Sequence, residues 1–129
     1  MVTIQVSYGD LADRISILRI KSERIADASK LVNIRAELQS LTSTWLAAPI
    51  PHTGTALVSA LARLNATNEQ LWDIEDAIRG KERVKTFDAK FIELARQVYL
   101  TNDQRANLKR EIDILLGAVF REEKSYQSY

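Results

Sequence analysis

Thr101, Asn102 and Arg105 stand in a row where the last long helical pattern of this chain calls for apolar side chains. The stripe around them, Phe87, Phe91, Leu94, Val98, Leu108, Ile112, Leu115 and Val119, steps by three and four residues, as one helix face requires. An arginine on such a face needs a partner, because an unpaired charge away from water is strongly unfavourable. Its planar guanidinium binds two oxygens at once, which suits carboxylate or phosphate. Thr67 and Asn68 interrupt the preceding apolar stripe in the same way. Counting at about 1.5 Å per residue outward from a tight connection near Gly80 to Lys85, Asn68 comes level with Val98 to Asn102. Thr67, Asn68, Thr101, Asn102 and Arg105 are therefore expected to form one polar layer. The layer either fixes helix register, as a single buried Asn does in coiled coils, or recognises an anionic or carbonyl ligand.

Glu75 lies on the flank of its stripe, with Arg96 or Tyr99 expected opposite, or Lys21 and Arg24 from the first helix. The candidate ligand-binding residues are Arg105, Asn102, Glu75, Arg96, Tyr99 and Asn68. Two function classes follow. One is a helical module that self-associates and binds a partner protein or a small anionic ligand. The other is an enzyme acting on a phosphate- or carboxylate-bearing metabolite, such as a nucleotide or nucleotide sugar. There Arg105 and Arg96 would clamp the anion, Glu75 would be the general base and Asn102 would orient the substrate.

The remaining reactive residues point to less. Glu69, Asp73 and Asp76 lie nearly opposite Leu64, Leu71, Ile74 and Ile78 on a helix, so they face water if the stripe faces a core. The acidic run from Glu69 to Arg79 faintly resembles the magnesium-holding helix of all-α nucleotide pyrophosphohydrolases. Glu111 and Asp113, however, are two apart and diverge, and the E-x-x-D spacing of that family's second helix is absent. No metal and no cofactor is implied. His52, the one histidine, sits between Pro51 and Thr53 and reads as an exposed loop residue. Arg79, Lys81, Arg83 and Lys85 against Glu82 make a basic tip without interleaved aromatics, a solvated helix end rather than a nucleic-acid surface. Trp45, Trp72 and Tyr99 are aromatics of the kind enriched at interfaces.

The elements that hold these residues are helical. Val2, Ile4 and Val6 alternate with polar residues, which predicts a short strand over residues 1–6. Such a strand must find a partner, and pairing with a second copy would make a homodimer. Ser7 and Asp10 have capping-box spacing and start the first helix. Its face, Leu11, Ile15, Leu18, Ser22 and Ile25, is nearly opposite the later Leu31, Ile34, Leu38, Leu41 and Trp45, so a break is expected near Asp27. Pro49, Pro51 and Gly54 mark a loop, Thr86 is placed as the cap of the last helix, and residues 122–129 lose the apolar period and read as a tail. The expected fold is all-α, a single domain of three or four antiparallel helices with a short N-terminal β-strand.

Composition agrees. With 46% apolar and 27% charged residues, the chain is an ordinary globular sequence rather than a disordered one. Eighteen basic against seventeen acidic side chains leave a charge of +1, too little for a field that favours nucleic acid. No cysteine is present, which excludes disulfides, thiolate metal sites and a cysteine nucleophile. Neither a signal-peptide pattern nor an apolar run of membrane-spanning length is seen. A cytoplasmic protein without a membrane partner is expected.

Several segments read together carry a resemblance. They are Val6–Leu11, Asp13–Leu18, Ile20–Ile25, Lys30–Asn33, Leu71–Arg79, Phe91–Tyr99, Thr101–Ile112 and Glu122–Tyr126. The chain resembles a family of short uncharacterised bacterial proteins, a domain-of-unknown-function family of about this length. The likeness covers nearly the whole chain. It implies no established activity; members accompany genes for surface polysaccharide or glycosyl transfer. The family pattern includes Lys21, Glu23, Arg24, Trp72, Glu75, Asp76, Arg96, Tyr99, Asn102, Asp103, Arg105 and Lys109. Members often carry Pro near Asp27-Ala28, where this chain has Ala.

Overall fold

The structure, a computed structural model, describes residues 1–117 and Ser128. Among these residues four helices follow one another: α1 (Tyr8–Arg24), α2 (Ala28–Ala47), α3 (Thr55–Arg83) and α4 (Ala89–Leu116). The protein is all-α, and none of these helices is long and apolar enough to cross a membrane.

Local chemistry sets the boundaries. The Ser7 hydroxyl accepts from the Asp10 N–H at 3.1 Å and opens α1. Only half of the expected capping box forms, because the Asp10 carboxylate goes to Lys109 Nζ at 2.8 Å. The break before α2 is present. Ile25 is extended, and Asp27 caps α2 by accepting from the N–H groups of Ser29 and Lys30. Ala48 leaves the helical region with ψ 138°, as a residue before proline must. At the far end of α3, Lys85 N–H bonds the Glu82 carbonyl and Thr86 N–H bonds the Lys81 carbonyl. This is a Schellman closure in which Lys85, at φ 55°, stands where glycine is usual. The cap of α4 is Asp88, not Thr86. Its carboxylate accepts from Phe91 N–H at 3.0 Å.

The expected strand over residues 1–6 is not formed. Val2 and Ile4 are 91% and 69% exposed, and no strand occurs among the described residues. The physical reason is plain: helices satisfy their own backbone groups, so nothing here offers the edge a lone strand requires. The tail expected over residues 122–129 lies, apart from Ser128, outside the described residues.

α1 is the central element. It packs against α2, α3 and α4, while α3 and α4 pack against each other and, among the described helices, the backbone of α2 comes close only to α1. Accordingly α1 buries Leu11, Ala12, Ile15, Leu18 and Ile20, a wider band than the single stripe its sequence suggests. With Leu57, Ala60 and Leu64 of α3 and Leu108 and Ile112 of α4, Ala12 forms the core cluster. No residue of α2 is buried, although Trp45 reaches that cluster. Gly9 lets α1 and α4 touch. A Cβ there would stand 2.3 Å from the Lys109 carbonyl oxygen and 2.8 Å from Asp113 Oδ1.

Candidate functional site

Two of the five residues expected in one polar layer, Asn68 and Arg105, are joined, and what joins them is a residue that pattern-reading missed. Asp13 of α1, 3% exposed, accepts at Oδ1 from Arg105 Nε (2.9 Å) and Asn68 Nδ2 (3.0 Å). Its Oδ2 accepts from Arg105 Nη2. One carboxylate from α1 thus ties α3 to α4. Ser16, one turn on, accepts from Asn68 Nδ2 at 3.1 Å and donates to Asn65 Oδ1 at 2.9 Å. Asn65 in turn donates to Glu69 Oε1 at 3.1 Å. Thr67 and Thr101 are buried, but the Thr67 hydroxyl returns to its own helix, donating to the Arg63 carbonyl.

Asp13 was invisible because it lies off the Leu11–Ile15–Leu18 stripe. It becomes interior only because α1 is covered from several sides. Asp113 was missed for the same reason. It does not face water: at 1% exposure it accepts from the Gly9 N–H at 2.6 Å, placing a carboxylate at the positive end of α1.

Above the Asp13–Arg105 pair opens a cleft of about 400 Å³. Ile17 and Lys21 of α1, Asn68, Leu71, Trp72, Glu75, Asp76 and Arg79 of α3, and Asn102 and Arg105 of α4 line it. Four of the six candidate residues, Asn68, Glu75, Asn102 and Arg105, therefore share one cavity. Arg96 and Tyr99 do not line it. Arg96 borders a separate depression with Ile92, Glu93 and Leu100, and Tyr99 is 45% exposed. Glu75 pairs with neither of them: its Oε2 lies 3.4 Å from Arg79 Nε, one turn along its own helix. Lys21, a suggested partner of Glu75, shares the cleft, whereas Arg24 goes to Asp73 at 2.5 Å.

The electrostatics of the lining are specific. Arg105 is held by Asp13, and Arg79 lies beside Glu75. The side chains of Lys21, Trp72, Asp76 and Asn102 make no hydrogen bond or ion pair among the described residues. The cleft thus offers an ammonium group, an indole N–H, a carboxylate and an amide to whatever enters.

Elsewhere, Arg63 grips Glu111 through two bonds of 2.9 and 2.7 Å. That contact holds the Glu111 carboxyl below its ordinary range and raises the Arg63 guanidinium. Among the described residues no group of three or more acidic or histidine side chains could hold a metal ion. His52 is half-buried rather than exposed: its ring meets Trp45 edge-on at 5.9 Å, and Nε2 lies 3.2 Å from the Ala48 carbonyl.

Comparison of the chain with family models, with curated proteins and with solved structures finds no match in any of the three.

Proposed function

We propose that the chain is a small helical binding module, its consecutive helices antiparallel, that takes a small anionic ligand into the three-helix cleft. The observation that carries this reading is the cleft itself. It has the volume of a small-molecule site. Apolar and polar groups from three helices converge there, and Lys21 and Asn102 make no side-chain hydrogen bond or ion pair among the described residues. The antiparallel arrangement draws support from the cross-pairs, since Arg63 meets Glu111 while Lys81 meets Asp88. Binding is favoured over catalysis because Glu75 sits on the rim, 43% exposed, rather than in a dry position suited to a general base.

The module would pair with a second copy of itself or with a partner protein. Two features support this: exposed Val2, Ile4 and Val6, and an α2 that has one neighbour and leaves Val32 and Leu46 about two-thirds exposed. Its setting would be the bacterial cytoplasm, in surface-polysaccharide or glycosyl-transfer metabolism, as the family resemblance implies.

A thermal-shift panel of nucleotides, nucleotide sugars and small carboxylates, with and without magnesium, tests the ligand reading. A ligand at one hundred times its dissociation constant adds about 2.7 kcal/mol, a rise of several degrees for a domain of this size. Silence across the panel would sink it. Light scattering tests self-association. A monomer at tens of micromolar would refute pairing, and a dimer that survives deletion of Met1–Val6 would refute pairing through that segment.

A further inference from the structure

We propose that the cleft admits a ligand with one anionic group on an apolar or planar body, and that Glu75 and Asp76 exclude ligands bearing several. The inference rests on the ligand-binding reading above and adds the charge class of the ligand.

Three cations, Lys21, Arg79 and Arg105, share the lining with two carboxylates, and Asp13, bound to Arg105 beneath, cancels the difference. A cleft built for a polyphosphate would be strongly positive; this one is balanced. Arg105 cannot be spared for a ligand, because withdrawing it would strand the buried Asp13 carboxylate. Arg79 lies beside Glu75, one turn along the same helix. Lys21 remains as the cleft cation without a carboxylate partner among the described residues, which matches one anionic group. The Asn102 amide stands in the same lining and supplies donors that strengthen an anion contact.

The rest of the lining says what the anion is attached to. Ile17, Leu71 and Trp72 are the apolar part, and an indole face suits a ring or a flat unsaturated body. Asp76 has no cation partner among the described residues, so a second or third phosphate carried into the cleft meets a carboxylate that repels it. Specificity of this kind comes from repulsion as much as from attraction.

The test is isothermal titration with two series at fixed ionic strength without magnesium: AMP, ADP and ATP, then benzoate, phthalate and benzene-1,3,5-tricarboxylate. The member with a single anionic group, AMP or benzoate, should in at least one series bind ten-fold or more tighter than the triphosphate or tricarboxylate member. Lys21→Met should abolish that binding. Glu75→Gln with Asp76→Asn should erase the preference while the melting curve stays cooperative, since both side chains lie at the surface of α3. ATP or the tricarboxylate binding as tightly as AMP or benzoate, or a preference that survives the double substitution, overturns the charge-class inference and leaves the ligand site standing. No binding in either series overturns the site and this inference together.

Discussion

Asp13 on α1 and Arg105 on α4 are 92 positions apart in the chain and joined by two hydrogen bonds, Nε to Oδ1 at 2.9 Å and Nη2 to Oδ2. The pair is asymmetric in burial, with Asp13 4% and Arg105 30% exposed at the side chain. Arg105→Ala should therefore cost about 3 kcal/mol, the lower end for breaking a buried pair, because it leaves the inner partner uncompensated. Urea unfolding measures this. A change below 1 kcal/mol would mean that Asn68 and water satisfy Asp13 alone. The Asp13→Asn, Arg105→Gln double variant should recover part of the loss, which makes a coupling energy measurable.

Gly9→Ala should be among the most damaging single-atom additions in the chain. The new methyl would meet a backbone oxygen, which cannot rotate away, so the α1–α4 contact must open. Overpacking of this kind costs about 3 kcal/mol at the upper end of its usual range. Gly54→Ala is the control, because nothing lies within 4 Å of a Cβ there. Equal melting temperatures for the two variants would contradict the close approach.

Two substitutions should stabilise. Lys85→Gly removes a left-handed conformation from a residue with a Cβ, a gain of about 1 kcal/mol before the added freedom of the unfolded chain is subtracted. Gly80→Ala places a good helix former in α3 with empty space around it, also worth about 1 kcal/mol. Calorimetry should show a higher midpoint for each.

Acid should weaken the fold through Asp27, Asp88 and Glu111. Hydrogen bonds to Ser29 and Lys30, to Lys81 and Phe91, and to Arg63 respectively lower their carboxyl pKa values. A lowered folded-state value contributes stability that is complete above the ordinary values of 3.8 for Asp and 4.5 for Glu and is lost as pH falls below them. Melting temperatures read from pH 6 to pH 2.5 should fall mainly below about pH 4.5. Asp27→Ser keeps a capping oxygen but does not titrate, so its curve should be flatter. An identical curve would remove Asp27 from the explanation.

Amide exchange should rank α2 as the least protected helix. It has no buried residue and one neighbour, whereas α1 is enclosed on three sides. Local opening draws on the elements with the fewest buried contacts. Protection in α2 equal to that of Ile112 in a dilute monomer would mean that something else covers it.

The parts of this arrangement governed by neighbours in sequence were legible in it. Asp27 before a helical run, two prolines around Ile50, and the three-and-four spacing of α3 and α4 each act over a few residues. Asn68, Asn102 and Arg105 were found as faults in those stripes and Glu75 on the flank of one, and the four do meet in one cleft. What failed depended on distant chain. Val2, Ile4 and Val6 alternate like a strand, yet alternation cannot create the edge that a strand must pair with. Asp13 and Asp113 look like surface acids until α1 is known to be enclosed, and nothing local says that it is. Asp88 took the cap of α4 from Thr86 although both side chains suit it; here the choice accompanies a second contact, with Lys81 at 2.9 Å.

The enclosure of α1 has a consequence for how the chain is made. α1 leaves the ribosome long before the residues it needs, for Gly9 waits 104 positions for Asp113 and Asp13 waits 92 for Arg105. Helices α3 and α4 can close on each other over a short turn. The first helix can pack early against α2, but the sides that α3 and α4 cover stay open to water until nearly all of α4 has been synthesised. Completion of this fold is thus gated by α4, and until then the sides of α1 that α2 leaves uncovered are open to aggregation and to chaperone capture.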